Sequence, residues 1–176
     1  MAAVKTRNTA TLMTEGSIVK SLLLFALPLL DGDSEIRMLS KLESKPYVDL
    51  TIACLRHFGI AVQETEQGYA VAGGQQYHAC DLTVEGDYSQ AAFFCVANAL
   101  GSDITLTNLN PESVQGDKKI VEIVREMCYN REQGLPAGFT VDAADIPDLV
   151  PILAVLATFG TALSSITGAH RLAIKE

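Results

Sequence analysis

Tryptophan is absent from this 176-residue chain, and only 6% of its residues are aromatic. Basic residues are also few: 13 Lys and Arg stand against 21 Asp and Glu, which gives a formal net charge of −8, and they form no run. A nucleic-acid groove needs clustered cations and stacking aromatics, so nucleic acid is not an expected partner. An anionic ligand would need basic residues placed locally against this acidic background.

Cysteine pairs at metal-binding spacing are missing as well. The four cysteines include no Cys-x-x-Cys pair and have no His at ligand spacing; they are Cys54, Cys80, Cys95 and Cys128. This usage is typical of reduced, buried thiols in a cytoplasmic protein, and it predicts neither a zinc site nor a disulfide framework.

No apolar run is long enough to cross a bilayer. The run from Ser21 to Leu30 covers ten residues, whereas a membrane-spanning helix needs about 20. Lys5 and Arg7 precede it, as basic residues precede the apolar part of a signal peptide, but no small-residue cleavage site follows. We therefore expect a buried helix, with no membrane contact for the folded part of the chain.

Alternating helix and strand patterns fill the chain after a polar stretch, residues 1–14, that carries no predicted element. Helices are predicted over 22–30, 46–58, 88–100, 117–127 and 148–159, and strands over 34–42, 61–64, 69–72, 81–84, 104–109, 139–141 and 165–174. Helix-to-strand joints recur at Ile36, Ile104 and Ile166. This recurrence predicts a repeated α/β unit, with the hairpin of the first unit missing from the second.

Three carboxylates follow the predicted strand that ends at Val141: Asp142, Asp145 and Asp148. Pro147 suits the first turn of a helix, so Asp148 is expected at or near a helix N-terminus, where unpaired backbone N–H groups stabilise a negative charge. From the stretch alone, a simple N-cap role for Asp145 or Asp148 is an equally good interpretation.

Five segments resemble the enolpyruvyl transferases, and in their order and spacing the enolpyruvylshikimate-phosphate synthase family: residues 44–51 (SKPYVDLT), 84–94 (VEGDYSQAAFF), 115–117 (QGD), 145–148 (DIPD) and 171–176 (RLAIKE). The resemblance covers residues 22–176. It implies an α/β fold (α+β) of repeated βαβαββ units, an inside-out α/β barrel that is incomplete in this chain. Residues 22–85 would form the C-terminal part of the first domain and residues 86–176 the first half of the second, with 1–21 outside the family.

The family's reaction transfers the enolpyruvyl group of phosphoenolpyruvate to shikimate 3-phosphate, in the shikimate pathway of aromatic amino acid biosynthesis. It needs a base at the hydroxyl, an acid at the enol carbon and cations around the phosphates, but no metal and no organic cofactor. By matching motif, Asp148 corresponds to the aspartate at the attacking hydroxyl and Glu176 to the glutamate that handles the proton. Lys175, Ser44 and Tyr47 correspond to residues that bind shikimate 3-phosphate.

Several departures from the family pattern affect the expected activity. Ser17 stands where a phosphate-binding serine is expected, but Ile18 replaces a glutamine. The Asp-Arg that follows Glu176 in the family motif is absent, as are the later arginine and lysine that hold phosphoenolpyruvate. The earlier half of the family, with its Lys-Ser and arginine sites, is absent too. The chain is therefore expected to be incomplete and inactive alone, needing N- and C-terminal halves that it lacks. From the residues alone, Ser44 before Pro46 is also predicted to be a helix cap.

Three further interpretations stay open. Residues 13–30 resemble the start of a multidrug and toxic-compound extrusion (MATE) transporter, which suggests a chimeric chain joined near residues 23–30. A second interpretation is a UDP-N-acetylglucosamine enolpyruvyl transferase of the same superfamily. A third is a non-catalytic fragment, or one half of a split protein.

Overall fold

The computed structural model describes residues 7–12, 17–38 and 44–174. Two units divide the chain, Met1–Leu82 and Thr83–Glu176. Each unit has its own cluster of buried apolar side chains, and each is described below by itself.

The first unit contains one complete βαβαββ arrangement. Its elements in order are β1 (Arg7–Leu12), α1 (Ser17–Ala26), β2 (Asp33–Met38), α2 (Lys45–His57), β3 (Val62–Thr65) and β4 (Gly68–Val71), with a 3₁₀ turn at Leu27–Leu29 after α1. The sheet order is β1-β2-β4-β3. Strand β1 runs parallel to β2, whereas β4 pairs antiparallel with both β2 and β3. The predicted α/β fold class is therefore confirmed.

Apolar spacing explains how α1 and α2 cover this sheet. Val48 and Leu55 lie seven residues apart, two turns along one face of α2, and both are fully buried. They join Leu24 of α1 and sheet residues such as Ile36 in one core. Each helix thus packs an apolar face into the core beside the sheet.

Helix α2 ends where the sequence predicted a stop. Gly59 has a φ of +84°, and its N–H donates to the carbonyl of Arg56 at 3.1 Å. The N–H of Ile60 donates to the carbonyl of Leu55 at 2.9 Å, which completes a Schellman motif. A Cβ at Gly59 would lie 2.6 Å from Cδ2 of His78, so close packing as well as φ favours glycine here.

The second unit contains α3 (Tyr88–Ala99), α4 (Lys119–Glu132), β5 (Thr140–Asp142), α5 (Val150–Thr158) and β6 (Ser165–Thr167), with 3₁₀ turns at Gly116–Lys118, Pro147–Leu149 and His170–Ile174. Strands β5 and β6 are parallel and are joined through α5. The three helices pack around buried residues that include Val96, Ile123 and Leu153. As predicted, no hairpin lies between α4 and β5.

Two predicted strands are not found in the described residues, and one observed strand was not predicted. Residues 81–84 and 104–109 form no strand, and Asn108 has a φ of +62°, outside the strand region. The bond from Gly86 N–H to the carbonyl of Asn108 is isolated and belongs to no ladder. A helix followed by a strand is therefore found at Ile36 and at Ile166, but not at Ile104. Conversely, residues 7–12, for which no element was predicted, form β1. Their partner β2 lies 26 residues away in register, and local propensity does not show such a non-local pairing.

The last strand is shorter than predicted. Strand β6 ends at Thr167, Gly168 turns the chain with a φ of +65°, and residues 170–174 form a 3₁₀ turn. The prediction that the strand continues to residue 174 is therefore wrong. Lys175 and Glu176 themselves lie outside the described residues.

Candidate functional site

The carboxyl edge of β1 and β2 brings two helix N-termini together in the first unit. The two strands are parallel, so their carboxyl ends meet at one edge, and α1 and α2 each begin within seven residues of that edge. Helix N-termini present backbone N–H groups and a partial positive charge, which favour an anionic ligand. Ser17 is the first residue of α1, and Ser44 immediately precedes α2.

Ser44 is held in an unusual backbone conformation. It is only 2% exposed and has φ and ψ of 55° and 36°, in the left-handed region. Its carbonyl accepts a hydrogen bond from the N–H of Tyr47 at 3.2 Å, but its side chain makes no capping bond. The prediction that Ser44 caps α2 with its hydroxyl is therefore wrong. A left-handed serine carries strain, and such outliers cluster at functional sites.

Tyr47 is half-buried in the first turn of α2 and is fixed through its backbone. The hydroxyl of Thr51 donates to the carbonyl of Tyr47 at 2.9 Å and also lies 2.9 Å from Oγ of Ser21. Thr51 has one hydroxyl proton and uses it on Tyr47, so Ser21 is the donor in the second bond. This bond joins α1 to α2 within the first two turns of both helices. The sequence analysis did not predict it, because the only signal was a short polar residue on each apolar helix.

Lys45, the charged residue of the SKPY segment, faces carboxylates. Its Nζ lies 2.7 Å from Oδ1 of Asp49 and 3.4 Å from Oε1 of Glu64. The hydrogen bond that Lys45 donates to Asp49 is the main reason that the pKa of Lys45 is raised, although burial works against it. Lys45 therefore stays charged, and two neighbouring carboxylates share that charge.

In the second unit, the turn between β5 and α5 positions Asp148. Asp142 Oδ1 accepts a hydrogen bond from the N–H of Ala144 at 2.9 Å, and Ile146 N–H donates to the carbonyl of Ala143 at 3.1 Å. Pro147 then opens the 3₁₀ turn that leads into α5. Asp148 lies in the first turn of this segment and is half-buried, while Asp145 is exposed.

The N-cap interpretation of Asp145 and Asp148 is wrong. Ile146 holds the cap position of the 3₁₀ turn and Leu149 that of α5, and neither makes a side-chain capping bond. The buried side chains of Ile146, Pro147 and Leu149 set the helix start, which places Asp148 inside the first turn. A carboxylate there is stabilised in its charged form by the helix N-terminus.

The predicted site residues that the structure describes thus fall into two groups. Ser17, Ser44 and Tyr47 lie at the carboxyl edge of the first unit's parallel strands, and Asp148 lies at the corresponding edge of the second unit. Within the described ranges, no three His, Cys, Asp or Glu side chains gather as metal ligands. The described helices also include none with the length and apolar character needed to cross a membrane.

The fold is that of an α/β protein whose first unit is one βαβαββ arrangement, with two helix N-termini at the carboxyl edge of its parallel strands. Comparison with known proteins identifies the family. The model of EPSP synthase (3-phosphoshikimate 1-carboxyvinyltransferase) matches residues 12–176, so the chain belongs to this family.

Individual relatives agree with the family match. The chain is 43% identical to the 3-phosphoshikimate 1-carboxyvinyltransferases of Clostridium novyi and Clostridium kluyveri, and 40% identical to that of Clostridioides difficile. Each comparison covers 88% of this chain and 38% of the relative. The chain therefore spans about two fifths of the length of these curated relatives.

Proposed function

We propose that this chain supplies part of the active site for enolpyruvyl transfer from phosphoenolpyruvate to shikimate 3-phosphate, and that it does so in the cytoplasm. The observation that carries the proposal is the family match over residues 12–176, with relatives named for 3-phosphoshikimate. The names of the relatives favour 3-phosphoshikimate over a nucleotide sugar as the acceptor.

Each residue has a proposed role in this reaction. Asp148 takes the proton of the attacking hydroxyl as the new C–O bond forms, and it lies in the first turn of the helical segment that leads into α5. Glu176 delivers a proton to the enol carbon and later removes one as phosphate leaves. Ser17, Ser44, Tyr47 and Lys175 bind shikimate 3-phosphate, the first three at or beside helix N-termini.

The isolated chain is proposed to be inactive and to need the segments that its relatives possess beyond it. It spans 38% of their length, and the cations that hold phosphoenolpyruvate in the family match no residue of this sequence. Losing one positioned donor to developing charge costs about 2.7–4 kcal/mol of barrier. Loss of several together would leave no measurable turnover.

Steady-state assays with phosphoenolpyruvate and shikimate 3-phosphate test these points. The purified chain should show no turnover, and polypeptides supplying the rest of a relative should restore it. In the restored enzyme, Asp148→Asn should lower kcat by about 10² or more, while Asp145→Asn, an exposed carboxylate of the same turn, should leave it near wild type. Turnover by the chain alone would refute its incompleteness, and a fully active Asp148→Asn would refute the role of Asp148.

Calorimetry tests substrate choice separately. If Ser44 and Tyr47 form part of the binding site, the chain should bind shikimate 3-phosphate and not UDP-N-acetylglucosamine. Binding of the nucleotide sugar instead would favour the other enolpyruvyl transferase, and binding of neither would favour a non-catalytic fragment.

A further inference from the structure

Two hydroxyl-bearing side chains join α1 to α2 in the first unit, and the proposed function gives neither of them a role. Oγ of Ser21 donates to Oγ1 of Thr51 at 2.9 Å, and Oγ1 of Thr51 donates to the carbonyl of Tyr47 at 2.9 Å. Two hydrogen bonds in series therefore connect a side chain of α1 to the backbone of α2. We call the pair Ser21 and Thr51 the hydroxyl link.

The hydroxyl link lies near the N-terminus of each helix. Ser21 is four residues after Ser17, the first residue of α1, and Thr51 is seven residues after Ser44, which precedes α2. One helical turn takes about 3.6 residues and 5.4 Å, so the link lies in the first two turns of both helices. Both helices begin at the carboxyl edge of β1 and β2, where the proposed function places the phosphorylated ligand.

Apolar packing of α1 leaves its position along α2 weakly defined. Leu24 is fully buried and Leu23 is partly buried, whereas Leu22 and Phe25 are 62% and 43% exposed. Contacts between aliphatic side chains are not directional, so they resist separation of two helices more than they resist sliding. A hydrogen bond, in contrast, requires a short distance and a defined angle. The hydroxyl link therefore restricts sliding in a way that the apolar contacts do not.

Thr51 presents its oxygen to Ser21 in one fixed direction. Its bond to the carbonyl of Tyr47, one turn earlier in α2, holds the β-branched side chain in a single rotamer and leaves the oxygen free to accept from Ser21. Both hydroxyl-bearing residues are half-buried, which limits competition from water. The link is thus a rigid contact, and its second bond ends on the backbone of a residue proposed to bind the ligand.

We propose that Ser21 and Thr51 are positioning residues that fix the register of α1 against α2, and with it the spacing of the two helix N-termini that receive the phosphorylated ligand. This inference rests on the proposed function, in which Ser17 binds the ligand from α1 while Ser44 and Tyr47 bind it from α2. Groups that bind one ligand from two helices must be held within about 0.5 Å of their productive positions. The hydroxyl link acts through the helices and does not touch the ligand.

Calorimetry of the full chain with shikimate 3-phosphate tests this role. Thr51→Val keeps the branched shape of the side chain but removes both hydrogen bonds, so affinity should fall by about tenfold. Thr51→Ser keeps the hydroxyl and should bind nearly as tightly as the wild type. Ser21→Ala should also weaken binding, and adding it to Thr51→Val should cause no further loss, because both changes break the same link.

Ser34→Ala is the matched control. Ser34 is a serine of the same unit that is 3% exposed, and its hydroxyl has no hydrogen-bond partner among the residues that the structure describes. Its removal should leave the affinity for shikimate 3-phosphate unchanged. A tenfold loss in Ser34→Ala as well would overturn the proposal, because any lost hydroxyl in the unit would then have the same effect.

Nuclear Overhauser contacts between methyl groups measure the register without a ligand. Leu24 of α1 and Val48 and Ile52 of α2 all belong to the core of the unit. Their contacts should be the same in Thr51→Ser as in the wild type, and should shift along α2 in Thr51→Val. An unchanged pattern in Thr51→Val would overturn the proposal, and so would unchanged affinity with a shifted pattern.

Failure of the proposed function gives a different result. A wild-type chain that does not bind shikimate 3-phosphate would refute the proposed role of Ser44 and Tyr47, and with it any part of the hydroxyl link in binding that ligand. The methyl contacts of Thr51→Val would then decide by themselves whether Ser21 and Thr51 set the register of the two helices.

Discussion

Gly168 lies directly against the carboxylate of Asp142: a Cβ at Gly168 would overlap Asp142 Oδ1 and lie 3.1 Å from the backbone nitrogen of Ala144. That carboxylate oxygen is the acceptor for the N–H of Ala144, the first hydrogen bond of the turn that leads to Asp148. The residue after β6 therefore packs against the turn that follows β5. This packing is possible because Gly168 has no side chain.

Gly168→Ala should destabilise the second unit by more than its backbone conformation alone would. A left-handed alanine costs about 1–2 kcal/mol, and the overlap with Asp142 adds to it. Gly134→Ala is the control, because Gly134 has a nearly equal φ of +67° with nothing within 4 Å of its Cβ position. Urea denaturation should show a larger decrease in the free energy of unfolding for Gly168→Ala than for Gly134→Ala. Equal decreases would mean that the turn after β5 adjusts to the added methyl group without cost.

Tyr69→Phe should leave the first unit as stable as the wild type or more stable. Tyr69 is 1% exposed, and its hydroxyl has no hydrogen-bond partner in the described part of the chain, so removing the oxygen removes a desolvation cost. Tyr77→Phe is the matched comparison, since Tyr77 Oη donates to the carbonyl of Phe25 at 2.7 Å. It should cost about 0.5–1.5 kcal/mol in the free energy of unfolding. A larger loss in Tyr69→Phe would reveal an unrecognised partner.

Alkaline pH should destabilise the first unit through Tyr69. Burial raises the pKa of Tyr69 to about 12, the effects of Glu64 and Asp49 add to this, and Lys45 opposes it. The unfolded chain releases this proton near pH 10 and the folded chain near pH 12, so the stabilisation is complete below pH 10 and is lost as pH rises to 12. The free energy of unfolding measured from pH 9 to 12 should fall less steeply in Tyr69→Phe. Identical slopes would contradict the burial of the hydroxyl.

Helices were predicted well from this sequence because their signals are local. The seven-residue spacing of Val48 and Leu55, Pro46 at the start and Gly59 at the end define α2 without reference to any other segment. Strands were predicted less well, because a strand exists only where a partner is in register. Residues 104–109 have strand composition but no ladder, and residues 7–12 have polar composition but pair with β2.

The candidate site shows the same division. Pro147 was enough to predict that Asp148 lies near a helix start, since proline fixes the local backbone. The left-handed backbone of Ser44 has no local signal, because any serine before a proline-containing turn reads as a cap. The carboxylate of Glu85 accepts hydrogen bonds from Asn110 and Gln115, which lie 25 and 30 positions away, so only the three-dimensional structure shows these contacts.

Ser44→Gly and Ser44→Ala together test two points: whether the left-handed backbone at Ser44 is strained, and whether its hydroxyl binds the ligand. Both variants lose the Oγ atom, but glycine accepts the observed φ of 55° freely, whereas alanine does not. Ser44→Gly should therefore be more stable than Ser44→Ala by about 1 kcal/mol. If the hydroxyl binds shikimate 3-phosphate, calorimetry should show that both variants lose affinity about equally, by roughly tenfold for one hydrogen bond to a charged ligand. Equal stability of the two variants would show that the backbone is free to leave the left-handed region, and unchanged affinity would remove Ser44 from the binding site.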